Sequence, residues 1–488
     1  MIVQLNHLQR KPAASTTQEV VDTLYSLLEE GHIEQEQFAR LRVQLDWIQY
    51  RQNFRECVMA TKATSDRPEQ FPPLEVHIDT RQVTPGCLRE AILRAMGSFP
   101  DAPTPDAGRP NPDGVRLEDF KSFRESIAWG FNRLYWHRLA DWEQFTGRGY
   151  ELALPGGKSD ANHPAAVTDC VADFWTLLRD LENRKQLPEE IFVMEIGVGM
   201  GTRSGLWLDR FHALDRERGT NYYPRLKFLL GDYSLATLER SRPAVKEHLE
   251  LCSFVVLDAL NPLKNLAFLR HKILHIHLTN VYDNLPDEEF ARRDGRLYAV
   301  QVRAYIPPAD AQRISKDLDI PATEIAPTVN RLLEGGPDYL SDRRRGVAFW
   351  QEIWQAMRLE ERLVNLDDLP DLTIPGDLRA SQLEEVLEKA PSDVRFHLSS
   401  GALESFHNTL PLLHPRGFLQ VQDIFVTNFN EYRLGFHGPG KLDGSIVNWV
   451  NGALLREVGE RAGYDVHFAP FHYRKGSKTS ILYTTQRE

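Results

Sequence analysis

Three glycines at alternate positions follow an apolar run in IFVMEIGVGMGTRSG, residues 191–205. Gly197, Gly199 and Gly201 would let the chain turn tightly and bring its N–H groups against a ligand with no Cβ in the way. A helix after them would add unpaired N–H groups at the same point. The spacing departs from two phosphate-binding loops: Thr202 stands where a dinucleotide fingerprint has its last glycine, and there is no Gly-Lys-Ser/Thr ending. A nicotinamide-dependent oxidoreductase is disfavoured accordingly. Glu195, two residues before the first glycine, would crowd a pyrophosphate and suits a ligand bearing a cation or an amine. Asp232 ends the next apolar run, LKFLLGD, where a carboxylate accepts from ribose hydroxyls. Asp258, with Ala259 beside it, ends a third, FVVLDA, where it would meet an adenine amino group. A nucleoside carrying a sulfonium and an amino group, S-adenosyl-L-methionine, fits all of these positions.

A second set of residues follows the fourth apolar run, ILHIHLTN. When a cofactor supplies the reactive carbon, the protein aligns the nucleophile, excludes water and removes a proton where needed. Asn280 could orient an amine, and Asp283 could hold a cationic group or take its proton. The same residues also favour turns. Asp423, at the end of FLQVQD, is a further candidate. His275 and His277 share one strand face, but no third ligand lies near them in sequence, so packing is expected there and no metal site.

These positions require strands delivered to one edge. From Ile191 onward short apolar runs alternate with helical segments, which implies a parallel sheet with right-handed crossovers. The last two runs, YDVHFAPF and SILYTTQ, are separated only by HYRKGSKT, too short for a helical crossover, so they form a hairpin. The fold expected is α/β: a Rossmann-like seven-stranded sheet with an antiparallel last strand, a helical N-terminal region and an inserted cap.

Residues 1–97 read as helical. Thr16 and Glu19 have capping-box spacing, EQEQFARLRVQLDWIQYRQNFRECV has three- and four-residue apolar intervals, and Thr84-Pro85 opens a helix ending near Gly97. Residues 98–116, dense in Pro, Gly and Asp, read as a linker. Residues 117–296 hold an aromatic helix (Trp129, Phe131, Tyr135, Trp136, Trp142) and the first half of the core. LPGGKSDANHP after that helix reads as a lid loop. Residues 297–395 read as a helical cap over the ligand edge, and 396–488 as the second half of the core.

Composition sets outer bounds. With 488 residues and a net charge of -11, general nucleic-acid binding is disfavoured, and Arg343, Arg344 and Arg345 read as a solvated helix start. Four cysteines without CxxC spacing argue against disulfides and zinc, and for a reducing, cytoplasmic setting. No apolar run is long enough to span a membrane. A homodimer is the assembly entertained.

The pattern E-x-G-x-G-x-G, with acids after the second and third strands and a final hairpin, resembles class I S-adenosylmethionine-dependent methyltransferases. More narrowly, residues 120–488 resemble the MidA-like family, which includes mitochondrial complex I assembly methyltransferases acting on protein arginine. TNVYDNLP, RDGRLYAVQV, GFLQVQDIF and LDGSIVNWVNGALLREVGERAGYDV carry the likeness. The chain departs where the family has Glu, at Val281, where Tyr-Gly would follow Asp423 (here Ile424 and Phe425), and in lacking the G-D-F-x-T-A-P-E segment. The resemblance implies methyl transfer to a nitrogen or oxygen of a protein or a small metabolite. A non-catalytic cofactor-binding assembly protein is the other reading.

Overall fold

The computed structural model describes residues 1–5, 14–46, 50, 52–64, 74–83, 85–97, 114–154, 157–340, 342–366, 375, 380–388, 390–434 and 438–487. It is a mixed α/β structure built on two large sheets. The first comprises β1 (Ile191–Ile196), β2 (Leu226–Asp232), β3 (Cys252–Val256), β4 (Ile273–Thr279), β5 (Leu413–Asp423), β6 (Tyr464–Pro470) and β7 (Ser480–Gln486). Their spatial order is β6-β7-β5-β4-β1-β2-β3. All neighbours pair parallel except β7, which is antiparallel to both β5 and β6.

Side-chain alternation explains why β1 lies inside the sheet. Ile191 and Val193 face one apolar layer, with Trp207, Leu208 and Phe211 of the helix Thr202–Arg218. Met194 and Ile196 face the other, with Leu403, Phe406 and Leu454. A strand covered on both faces reads as a continuous apolar run, as IFVMEI does. The C-terminal ends of β1–β5 therefore emerge together at one edge.

The second sheet was not expected. Among the described residues it has ten strands, with Ile2–Leu5, Arg42–Leu45, Leu74–Ile78 and Val58–Thr64 from the N-terminal region. Arg358–Asn365, Arg296–Ile306, Glu289–Arg293 and Val394–His397 follow from the segment between β4 and β5. The helical reading of residues 1–97 is corrected by these strands. The long helix expected from Glu34 stops at Arg40, and Leu41, Val43 and Leu45 then face the core under the helix Ala14–Glu29. That two-residue period marks a strand, but it was hidden within FARLRVQL, which also satisfies a helical period. Thr16 and Glu19 lie inside the helix rather than at its cap, and Thr84 lies outside the described residues.

The helical cap is corrected in the same way. The segment between β4 and β5 contains the helices Pro308–Leu318, Ile325–Gly335 and Arg343–Ala356, but also those four strands. Asp294 and Gly295, both at positive φ, join Glu289–Arg293 to Arg296–Ile306 as a two-residue hairpin turn. The second sheet thus starts before residue 297. Residues 98–113 of the expected linker lie outside the described residues, and Val115–Arg116 already pairs with Arg296–Ile306. Among the described residues no helix is long and apolar enough to cross a membrane.

Candidate functional site

The ends of β1–β4 open into a cavity of about 2060 Å³. Ligand sites usually measure about 300–1,000 Å³, so this one has room for a nucleoside cofactor and a second molecule. Its floor is the glycine turn, where Gly197, Gly199 and Gly201 have φ of 76°, 52° and 73°. A Cβ on Gly199 would lie 2.6 Å from the Tyr150 hydroxyl, so the turn is closed to side chains on the side that faces the cavity.

Asp232 braces this turn. Its carboxylate accepts from the Gly199 N–H at 3.3 Å and the Ser234 N–H at 3.0 Å. Burial pushes its pKa up to about 6, although these N–H groups favour the charged form. Asp258 lies two residues beyond the end of β3, exposed, and its Oδ1 accepts from the Leu260 N–H at 2.9 Å. Asp258 and Ala259 both line the cavity.

Glu195 lines the cavity too, but it is not the open carboxylate expected. Its Oε2 accepts from Arg203 Nη1 at 3.2 Å and from Ser204 Oγ at 2.6 Å, both on the first turn of the helix after the glycines. Glu195 and Arg203 thus answer each other's charge within the protein, and the pair lies on the cavity wall. Neither Arg203 nor Tyr150 was singled out from the sequence. No spacing rule marks them, because their place depends on how the helix and the segment Tyr150–Ala153 fold over the turn.

Beyond β4 the chain turns sharply. Asn280 has φ of 51° and its N–H donates to Gln422 O at 3.0 Å, and residues Tyr282–Asn284 form one 3-10 turn. The turn is real, and both Asn280 and Asp283 lie on the cavity wall. It is gripped by the aromatic helix Ile127–His137: Asn132 Nδ2 donates to Asn284 O at 2.9 Å and Trp136 Nε1 to Asn284 Oδ1 at 3.2 Å. Of the five aromatic residues expected as core, Trp129, Tyr135, Trp136 and Trp142 also line the cavity, while Phe131 is wholly buried.

Asp423 is placed differently. It is fully buried and off the wall, with Oδ2 accepting the N–H groups of Tyr282 and Asp283 at 2.9 and 3.2 Å and Oδ1 that of Ile424. A catalytic contact for Asp423 is corrected to a positioning one: it locks the turn that carries Asp283. Burial raises both carboxyls, Asp423 to about 7 and Asp283 well above the ordinary range, the latter also through the neighbouring Asp423. Three N–H donors make Asp423 the better holder of the negative charge, so Asp283 is the one that keeps a proton. His275 and His277 are buried in the sheet, His277 bonded to Gln420 and Thr279, and burial holds both imidazoles neutral.

The far wall comes from the segment between β4 and β5, through Gln351, Trp354 and Gln355. Lys441 fixes it, with Nζ donating to the carbonyls of Trp354, Gln355 and Met357 at 2.6, 3.1 and 2.8 Å and so closing the helix end. The LPGGKSDANHP loop is tied down through Asp160, which bonds Ser477 Oγ and Thr479 Oγ1; Pro155 and Gly156 lie outside the described residues.

No family model matches the chain, and no curated protein matches its sequence. Among solved structures it is similar to a candidate methyltransferase from Burkholderia thailandensis bound to S-adenosyl-homocysteine, at 13% identity and a TM-score of 0.45, covering 75% of this chain and 88% of that chain. A second crystal structure from the same organism, of an uncharacterised protein of the same superfamily, scores 0.45 at 12% identity, covering 75% and 87%. The CcbJ methyltransferase from Streptomyces caelestis scores 0.28 at 10% identity, covering 66% and 95%. Scores this low do not carry a function across; the site must supply it.

Proposed function

We propose that the protein is an S-adenosyl-L-methionine-dependent methyltransferase of class I, built on a Rossmann-like core and acting on a nitrogen or oxygen nucleophile. The observation that carries this reading is the positive-φ turn Gly197–Gly201, braced by Asp232 from the adjacent strand and opening on a cavity large enough for two molecules. The groups present fit the cofactor. Asp232 would accept the ribose hydroxyls, Asp258, Ala259 and Leu260 would border the adenine, and the Glu195–Arg203 pair would meet the amino-acid end. The bound cofactor supplies an electrophilic methyl group. The chain's own residues orient the acceptor at Asn280 and Asp283 and wall it from water with the aromatic helix. A protein acceptor, arginine included, and a small metabolite both fit a cavity of this size; a MidA-like affiliation and a cytoplasmic setting belong to the same proposal.

Calorimetric titration with S-adenosyl-homocysteine tests it, and no saturable binding would sink it. The pKa of Asp232, about 6 in the folded chain, adds a pH signature. The carboxylate is the better acceptor for ribose, so affinity should rise as pH increases through 6 and level off above it. Asp232→Ala should weaken binding by about 1.5–3 kcal/mol and flatten that profile. An unchanged affinity in the variant removes Asp232 from the site.

A further inference from the structure

The sheet order divides the cavity. The glycine turn and the ends of β2 and β3 take one side, and those of β4 and β5 with the β6–β7 loop take the other. If the first side holds the cofactor, as proposed above, the second is where an acceptor enters. The β6–β7 loop presents Arg474, Lys475, Ser477, Lys478 and Thr479 to the cavity, and Lys158 stands across from it. This concentration of cations lies on a chain with a net charge of -11.

Surface lysines are usually only solvated, but the two loops that carry these are tied to each other beside the cavity. Asp160, 5% exposed, binds Arg474 Nη2 at 2.8 Å, Ser477 Oγ at 2.6 Å and Thr479 Oγ1 at 2.8 Å. Arg474 Nη1 also donates to Lys158 O at 3.2 Å. Asp160 and Arg474 answer each other's charge, so the pair serves as a clamp between two loops. Lys158, Lys475 and Lys478 are exposed and have no carboxylate partner among the described residues. Lys478 Nζ stands 5.7 Å from the Trp449 ring, which also lines the cavity. A tethered loop offering ammonium groups without carboxylate partners beside an aromatic face fits an anion attached to a larger body.

We propose that the acceptor carries a carboxylate or phosphate, and that Lys158, Lys475 and Lys478 hold this anion at the cavity mouth. The anion can belong to a small molecule or to an acidic peptide segment; the chemistry is shared, and the probes separate the sources. Titrate the full chain at low and high salt with benzoate, phenyl phosphate, uncharged phenol and a short polyglutamate peptide. At least one anionic probe should bind at low salt, more tightly than phenol, and weaken with salt. The double variant Lys475→Gln/Lys478→Gln should bind it about tenfold more weakly, and Lys246→Gln, an exposed lysine away from the cavity, should not. Benzoate or phenyl phosphate responding identifies a small acid; polyglutamate alone responding identifies an acidic segment. Anionic probes that bind no better than phenol, or a double variant that binds them like the wild type, overturn the proposal. S-adenosyl-homocysteine titrated into the same proteins keeps the two readings apart. A wild type that binds the anion but no S-adenosyl compound overturns the cofactor reading and leaves the rim standing.

Discussion

Gly199→Val is expected to lose S-adenosyl-homocysteine binding by about a hundredfold or more, close to 2.7 kcal/mol, while the chain still folds. Two effects act together. At φ of 52° a side chain costs roughly 1–2 kcal/mol, and β-branching restricts it further. The new Cβ also falls 2.6 Å from the Tyr150 hydroxyl, so either Tyr150 moves into the cavity or the turn backs away and the Gly199 N–H leaves Asp232. Both outcomes spoil the surface on which a nucleoside would lie. Gly199 lies beyond the end of β1 and is itself only part-buried, while its neighbour Val198 keeps its place in the apolar layer, which is why the fold survives. Calorimetry reads the binding, and the far-ultraviolet dichroism and its melting curve read the fold. A companion variant isolates the contact: Gly199→Ala should recover part of its lost affinity when combined with Tyr150→Phe, which removes the oxygen that the methyl group meets. A Gly199→Val protein that binds as the wild type does would mean that the turn is not the floor of the site.

What the sequence made legible follows from locality. The glycine turn, the strands of the first sheet and the final hairpin are each specified by short stretches of sequence and lie near where they were read, except that β3, read as a buried strand ending at Asp258, ends at Val256 and is half exposed at the sheet edge. The ten-stranded sheet was missed because its strands come from separate regions, residues 2–78 and 289–397 with two short strands between 115 and 122. Arg358–Asn365 pairs with Val58–Thr64, and no local period announces such a partner. Buried charge obscured it further: Arg55, Glu289, Glu361 and Arg395 form a ring of ion pairs inside the protein, whereas charged residues in sequence suggest a solvated face. The candidate site divides in the same way. Glu195, Asp232, Asn280 and Asp283 are fixed by their distance from a strand end, and all four reach the cavity. Asp423 satisfied the same rule and does not, because its register places it opposite Asn280 with three backbone N–H groups to serve. Tyr150 and Arg203 obey no such rule and are found only in three dimensions.

Asp283→Asn is expected to bind cofactor nearly as well as the wild type and to lose turnover about a hundredfold or more, the usual loss when positioned acid–base help is removed. Asp283 is on the cavity wall, and its Oδ1 accepts from Asn284 Nδ2 at 2.8 Å. Asp423 holds its backbone from below, and its carbonyl accepts from the Asn448 N–H at 3.0 Å. The group is therefore fixed in place while its proton remains exchangeable. Burial and the neighbouring Asp423 favour its neutral form. An incoming cation would favour its ionised form, so proton acceptance would come with acceptor binding. An amide keeps the shape and the bond to Asn284 but cannot take a proton. The variant also has a signature that needs no acceptor. The folded pKa of Asp283 is raised, so its unfavourable contribution is absent below the unfolded value of about 4 and grows as pH rises above it. Removing it should make Asp283→Asn more stable than the wild type at alkaline pH and indistinguishable near pH 4, as read by thermal melts across that range. Methyl transfer is then measured as S-adenosyl-homocysteine release with fractionated protein and metabolite acceptors. A variant that gains the alkaline stability but keeps full turnover would show that Asp283 is buried for the sake of the turn alone. Loss of turnover together with cofactor affinity would place Asp283 in cofactor binding and leave Asn280 as the group facing the nucleophile.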